Sequence, residues 1–243
     1  MSMSTAPPND TRLDALRQEF EHDAGFSQVF VVLTVGATLI ATLGLLANSA
    51  GVVIGAMVVA PWIMPLQAMA FEILQGRLPM FLRALRTLLL GVVLCVLLAM
   101  AVGALVAFPS FGSEVMNRTS PTLLDLGVAL VAGAVAMYAK LRKEAISALA
   151  GLAIAVALVP PMCVVGILLA SSFWQQAYGA LLLFATNLLG IMVGAMAALG
   201  VLERAYRGRL FHSRRPGFSS GGCRDRFICC IKSLRAEADI PPV

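Results

Sequence analysis

The sequence predicts an all-α, polytopic membrane protein with six transmembrane helices arranged as a 3+3 inverted repeat, helices two and five being broken by proline. Three observations lead there. The 243 residues are 59% hydrophobic and only 13% charged, with a mean hydropathy of +0.88, whereas soluble domains carry about 25% charged residues. The few charges are segregated: between Ser27 and Leu202 there are only Glu72, Arg77, Arg83, Arg86, Glu114, Arg118, Asp125, Lys140, Arg142, Lys143 and Glu144. Finally, paired prolines interrupt two long apolar runs, at Ala60-Pro61-Trp62-Ile63-Met64-Pro65 and at Leu158-Val159-Pro160-Pro161.

Residues 1–26 form a mixed-charge arm with Arg12, Asp14, Arg17, Glu19, Glu21 and Asp23. A secretory signal requires a basic start followed at once by an apolar core, so no cleaved signal is expected. Leu13, Leu16 and Phe20 at helical spacing predict a short amphipathic lead-in at the membrane interface.

A helix needs roughly 20 apolar residues to cross about 30 Å of hydrocarbon. Runs of that length predict crossings at 27–47, 50–74, 85–108, 122–139, 146–170 and 177–201. Together they make a transmembrane domain over 27–202. Ala47-Asn48-Ser49 is the hairpin turn between the first two. Pro121 stands at the start of the fourth, where proline suits a helix opening. A basic tail over 203–243, with Arg214-Arg215-Pro216-Gly217 and Ser219-Ser220-Gly221-Gly222, is expected to be poorly ordered.

Orientation follows from Lys and Arg in the connections. The arm, the second-to-third connection (Arg77, Arg83, Arg86), the fourth-to-fifth connection (Lys140, Arg142, Lys143) and the tail are basic, and the remaining connections hold only Arg118. With six spans these basic stretches share one side, so both termini are expected in the cytoplasm. The tail's positive charge is scattered and lacks a recognition element, so it reads as an anchor near anionic lipid, without a nucleic-acid partner.

Proline removes a backbone donor and clashes with the preceding turn, so each interrupted run should be kinked or broken within the bilayer. Shifting the chain by 100 residues lays Gly51, Ile54, Val59 and Pro61 on Gly151, Ile154, Val159 and Pro161. Span two runs inward and span five outward, which makes the halves inverted repeats. That is the arrangement in which broken helices meet at a midplane transport site. Simple proline kinking of long helices is the plainer alternative.

Polar residues inside the spans are the site candidates. Gln67 lies just past the first break, Glu72 near the end of span two, and Asn187 deep in span six, where it bridges helices or lines a path. Pro61, Pro65, Pro160, Pro161 and Gly166 complete the proposed substrate path or its packing. Glu72, Arg118 and Asp125 are candidates for a gate or ion pair, an Arg118–Asp125 contact being either an outer gate or a loop closure. Gly51-Val-Val-Ile-Gly55 and Gly190-Ile-Met-Val-Gly194 fit small-xxx-small packing, within the chain or in a homo-oligomer.

Five cysteines and two histidines do not make a metal site: Cys95 and Cys163 read as small buried hydrophobes, and Cys223, Cys229 and Cys230 as tail thiols. Phosphate-loop, serine-hydrolase and zinc-protease signatures are absent from the sequence. No enzyme activity, cofactor or metal is therefore expected. The function expected is a secondary transporter or channel-like permease for a small solute, and the alternative is a structural or regulatory membrane protein.

Four stretches carry a resemblance: IATLGLLANSAGVVIGAMVVAPWIMPLQ (40–67), NRTSPTLLDLGVALVAGA (117–134), GLAIAVALVPPMCVVGILLA (151–170) and LLLFATNLLGI (181–191). In these the chain resembles the bacterial and archaeal family of uncharacterised hydrophobic membrane proteins, domain of unknown function 389. The family-like positions are Asn48, Ser49, Gly55, Ala56, Met57, Pro61, Pro65, Arg118, Thr119, Pro121, Asp125, Leu126, Gly151, Pro160, Pro161, Gly166, Asn187 and Gly190. The resemblance implies an integral protein of a prokaryotic plasma (inner) membrane, and it implies no activity. Arg77 follows Gly76 where relatives often carry an acidic residue, which argues against a general role for a carboxylate there.

Overall fold

A computed structural model describes residues 18–106, 111–142 and 158–213. These residues are helical with no strand among them: α1 (Gln28–Leu46), α2 (Ala50–Val59), α3 (Ile63–Gln75), α4 (Leu78–Val106), α5 (Ser113–Met116), α6 (Leu123–Arg142), α7 (Val159–Ala170) and α8 (Trp174–Ser213). Residues 18–23 form a further helical stretch ahead of α1.

Local chemistry sets the boundaries. The Ser27 side chain accepts a hydrogen bond from the Phe30 N–H and starts α1. Asn48, at φ 51°, turns the chain into α2, a backbone region in which Asn is among the few tolerated side chains. Gly76 (φ 69°) ends α3 in a left-handed cap, its N–H and that of Arg77 closing on the last carbonyls. Pro79 lies in the first turn of α4, where the missing N–H costs nothing. That start is why α4 begins at Leu78, seven residues before the predicted third crossing.

Four helices are long and apolar enough to cross a membrane: Gln28–Leu46, Leu78–Val106, Leu123–Lys140 and Trp174–Val201. The pair Ala50–Val59 and Ile63–Leu74, bent by 55°, makes a fifth if it is one span. The predicted crossing at 146–170 is represented by α7 alone. Its first half, with Gly151 and Ile154 of the internal repeat, lies outside the described residues, as do Leu13, Leu16 and the tail from 214. The helix α8 continues without a break to Ser213, beyond the boundary expected at 202.

The outer surface is apolar. Val29, Val32, Leu43, Leu89, Leu97, Val131 and Leu189 are all more than half exposed. A belt of this kind would be an aggregation surface in water and suits lipid. Inside, α7 is buried along almost its whole length, against α4, α8 and α1. The helices α6 and α8 form the most extensive pair. Their axes approach closely because Gly133, Gly190 and Gly194 carry no side chain: a Cβ at Gly133 would strike the Ile191 backbone, and one at Gly194 the Leu130 carbonyl. The Gly190–Gly194 motif is thus an intrachain seam. Gly51 and Gly55, by contrast, have nothing within 4 Å of a built Cβ.

Candidate functional site

The first break separates two apolar helices bent by 55°. The helix α2 stops at Val59 because the residue before a proline is driven out of the helical region; Ala60 is extended, at φ −67° and ψ 126°. The chain passes Pro61 and restarts at Ile63. Pro65 falls in the first turn of α3, where its lost donor has no intrahelical partner to lose. Pro61, Trp62 and Pro65 are all buried, so the break faces protein and not lipid. Pro160 and Pro161 follow the same rule in the first turn of α7, and both are buried.

A polar seam adjoins the break. Phe30, Thr34, Thr38 and Thr42 recur every four residues on α1 and are all buried, so they form one stripe. Over its three threonines the stripe climbs about 12 Å. Opposite it, Gly91 and Cys95 lie one turn apart on α4, both buried. A Cβ at Gly91 would sit 3.0 Å from the Phe30 ring and 3.5 Å from Trp62 Nε1, which places the indole N–H at the junction of α1, α4 and the break. Further along, the Cys163 Sγ lies 3.9 Å from the Thr38 carbonyl oxygen and 3.6 Å from the Cys95 Sγ.

Thr42 donates to the Thr38 carbonyl at 2.7 Å. The hydroxyl of Thr34 and the indole N–H of Trp62 have no hydrogen-bond partner among the described residues, although both residues are 1% exposed, whereas the Thr38 hydroxyl faces the Cys95 thiol. A buried polar atom without a partner costs about 1–3 kcal/mol. Two such atoms, Trp62 Nε1 beside Phe30 and Thr34 Oγ1 one turn further along α1, therefore call for a ligand, water or motion to satisfy them.

The remaining candidates distribute around this centre. Gln67 (8% exposed) donates through Nε2 to the Ala136 carbonyl at 3.1 Å, tying α3 to α6. Glu72 and Asn187 are buried. Gly166 brings the backbones of α7 and α4 together, since a Cβ there would lie 2.6 Å from the Val96 carbonyl oxygen.

Arg118 and Asp125 lie elsewhere, Arg118 in the stretch joining α5 to α6 and Asp125 in the first turn of α6. Arg118 Nη1 pairs with Glu114 Oε2 at 2.7 Å. Asp125 accepts from the Thr122 N–H at 2.9 Å and from its hydroxyl at 2.6 Å, and the Asp125 N–H donates back to Thr122 Oγ1 at 3.3 Å. That reciprocal pairing is a capping box at the start of α6. Each residue thus engages a neighbour on its own stretch of chain. Asn48 Oδ1 accepts from the Glu114 N–H at 2.9 Å, which fastens the α1–α2 turn to α5.

Thr34, Thr38 and Trp62 were not singled out in the sequence. The threonine spacing was legible, but a hydroxyl in a membrane helix ordinarily returns to its own i−4 carbonyl. Only the packing reveals which do not. No group of three or more His, Cys, Asp or Glu side chains placed to hold a metal occurs among the described residues.

The profile of a family described as "Domain of unknown function (DUF389)" matches residues 57–193. The chain is also similar to an uncharacterised protein, MJ0678, of Methanocaldococcus jannaschii, with 25% identity over 174 residues. That alignment covers 71% of this chain and 54% of the relative, so the chain spans about half of the relative's length. No solved structure matches significantly.

Proposed function

We propose, from the premise that this chain belongs to the family described as domain of unknown function (DUF389), that it is a secondary transporter or channel-like permease for a small solute. The observation that supports this is the pair of buried, unpartnered polar atoms of Thr34 and Trp62 beside the α2–α3 break, on the threonine stripe that Thr38 and Thr42 continue. Polar groups at membrane depth are retained where they meet water or a passing solute. The path runs along the threonine stripe, past the Cys95–Cys163 contact, with Gln67, Pro61, Pro65, Pro160 and Pro161 shaping its walls.

The finer architecture belongs to the same reading. Six spans form a 3+3 inverted repeat. Both termini lie on the cytoplasmic side of a prokaryotic inner membrane, as the basic connections favour. The protein acts without a cofactor or metal, catalyses no reaction and binds no nucleic acid. Lipid surrounds it, and a second copy would pack against the open Gly51–Gly55 face.

Uptake of labelled anions, cations and neutral solutes into proteoliposomes tests the assignment, with Thr34→Val/Thr38→Val as the site variant. Uptake by the parent protein that falls at least about tenfold in the variant is expected, the loss from removing about 1.4 kcal/mol of path stabilisation. Unchanged uptake would remove the path from this junction. A structural or regulatory role is favoured instead by the backbone-close packing at Gly133, Gly166 and Gly194. It would stand if no solute enters and the threonines never meet water.

A further inference from the structure

We propose that residues 18–24 are a latch that closes one end of the bundle, and not a free amphipathic lead-in lying at the interface. The inference rests on the permease reading above for its purpose, though not for its geometry. Four contacts define it. Phe20 (1% exposed) stacks on Phe71 of α3 with ring centroids 4.3 Å apart. The Ala24 carbonyl accepts from Thr87 Oγ1 of α4 at 2.8 Å, and Ala24 itself is 1% exposed. Glu19 and Asp23, one helical turn apart on the same face, both accept from Lys140 Nζ of α6, at 2.7 and 2.9 Å. The same ammonium lies 5.6 Å from the centre of the Phe20 ring. A fourth, looser tie is Arg77 to Glu21 at 4.0 Å.

The position of these contacts gives the segment its role. Phe71 is one turn beyond Gln67 on α3, and Lys140 is one turn beyond Ala136 on α6. Gln67 and Ala136 are the pair whose hydrogen bond joins those helices. The segment 18–24 therefore lies across the α3–α6 seam next to the Gln67 bridge, at the end of the bundle that carries Arg77, Arg83 and Lys140. By tying α3, α4 and α6 together it covers that end of the route from the break.

The attachment is built to release. One aromatic ring and one small side chain supply the apolar anchor, the Thr87–Ala24 hydrogen bond adds a neutral tie, and the rest is charge. Glu19 is 39% exposed and Lys140 19%, so water and salt reach that pair, while Asp23 at 8% is the more sheltered partner. Partly exposed ion pairs are weak and are screened over about 10 Å at 0.1 M salt. Lys140 is the ammonium that faces both carboxylates, and the segment's charged attachment to α6 runs through it.

The test uses the full chain in lipid nanodiscs, where both membrane faces meet the reagent, with the native cysteines replaced. Two single-cysteine reporters are labelled with a membrane-impermeant maleimide: Ala24→Cys, which reads docking, and Gln67→Cys, which reads the route beneath. Lys140→Glu should speed labelling of both by about tenfold. Adding Glu19→Lys and Asp23→Lys to Lys140→Glu should restore slow labelling, which also shows that the variants fold. Raising the salt should speed labelling of Ala24→Cys with Lys140 intact. Ala24→Cys labelling that ignores both charge and salt would overturn the latch. Faster labelling at Ala24→Cys without any change at Gln67→Cys would overturn the closing role. No solute enters this measurement, so a failed uptake assay bears only on the permease assignment.

Discussion

The contact of α6 with α8 makes opposite predictions for two glycines on one helix. At Gly133 a built Cβ would clash with the Ile191 carbonyl oxygen and lie 2.7 Å from the Ile191 Cα, whereas at Gly127 nothing lies within 4 Å. Ordinary carbon contacts lie at about 3.5–4.0 Å, so Gly133→Ala forces the two backbones apart by about 1 Å. Backbone cannot swing aside as a side chain does, and over-packing of this kind costs about 1–3 kcal/mol. The gain in helix propensity from Gly to Ala returns about 0.5–1 kcal/mol. The net loss at Gly133 is therefore up to about 2.5 kcal/mol, or a fall in Tm of up to about 10 °C for a domain of this size. Gly127→Ala keeps only the gain, a rise of about 1–4 °C. Thermal unfolding in detergent can be followed with a thiol-reactive dye that reports the buried Cys95 and Cys163, once Cys223, Cys229 and Cys230 are replaced by Ser. Shifts of the same sign and size at both positions would refute the close α6–α8 crossing.

Two other outcomes are expected from the packing. Asn48→Ala removes the acceptor for the Glu114 N–H and puts a Cβ-bearing residue without a local hydrogen bond at φ 51°. It should cost about 2 kcal/mol against about 1 kcal/mol for Asn48→Gly, which loses only the acceptor; the same dye assay separates the two, and equal losses would contradict the strained turn. Copper-phenanthroline oxidation should join Cys95 to Cys163, given their 3.6 Å separation. With a protease site inserted after Glu144, the two fragments should remain linked on a non-reducing gel and separate when reduced. Free fragments under both conditions would contradict the α4–α7 contact.

The helical membrane class and the first break were legible in the sequence because composition and proline act locally. Pro61 dictates an extended Ala60 whatever surrounds it, and the apolar runs at 27–47 and 177–201 have no other stable use. Pattern alone could not show on which side of a glycine the neighbour lies: Gly51-x-x-x-Gly55 and Gly190-x-x-x-Gly194 read alike, yet the first is open and the second is filled by α6. The same limit applies to charge. Arg118 and Asp125 are close enough in sequence to suggest a pair, but a capping box holds Asp125 and an i,i+4 pairing holds Arg118. Phe20 read as an interfacial residue because its partners, Phe71 and Lys140, are distant in sequence. The threonine seam escaped notice for that reason too, since its meaning lies in what Gly91, Trp62 and Cys163 bring against it.

Aqueous access along α1 tests the central claim most directly. Single cysteines at positions 32, 34, 36, 38, 40 and 42, in a background without native cysteines, can be treated in nanodiscs with a small cationic methanethiosulfonate. Val32 and Ile40 are 68% and 41% exposed on the apolar surface, whereas Thr34, Thr38 and Thr42 are at most 1% exposed inside the bundle. A water-filled path along the seam predicts reaction at 34, 38 and 42 and protection at 32, 36 and 40. Protection at all six positions, or reaction that follows the lipid-facing residues, would contradict a solute path at this site.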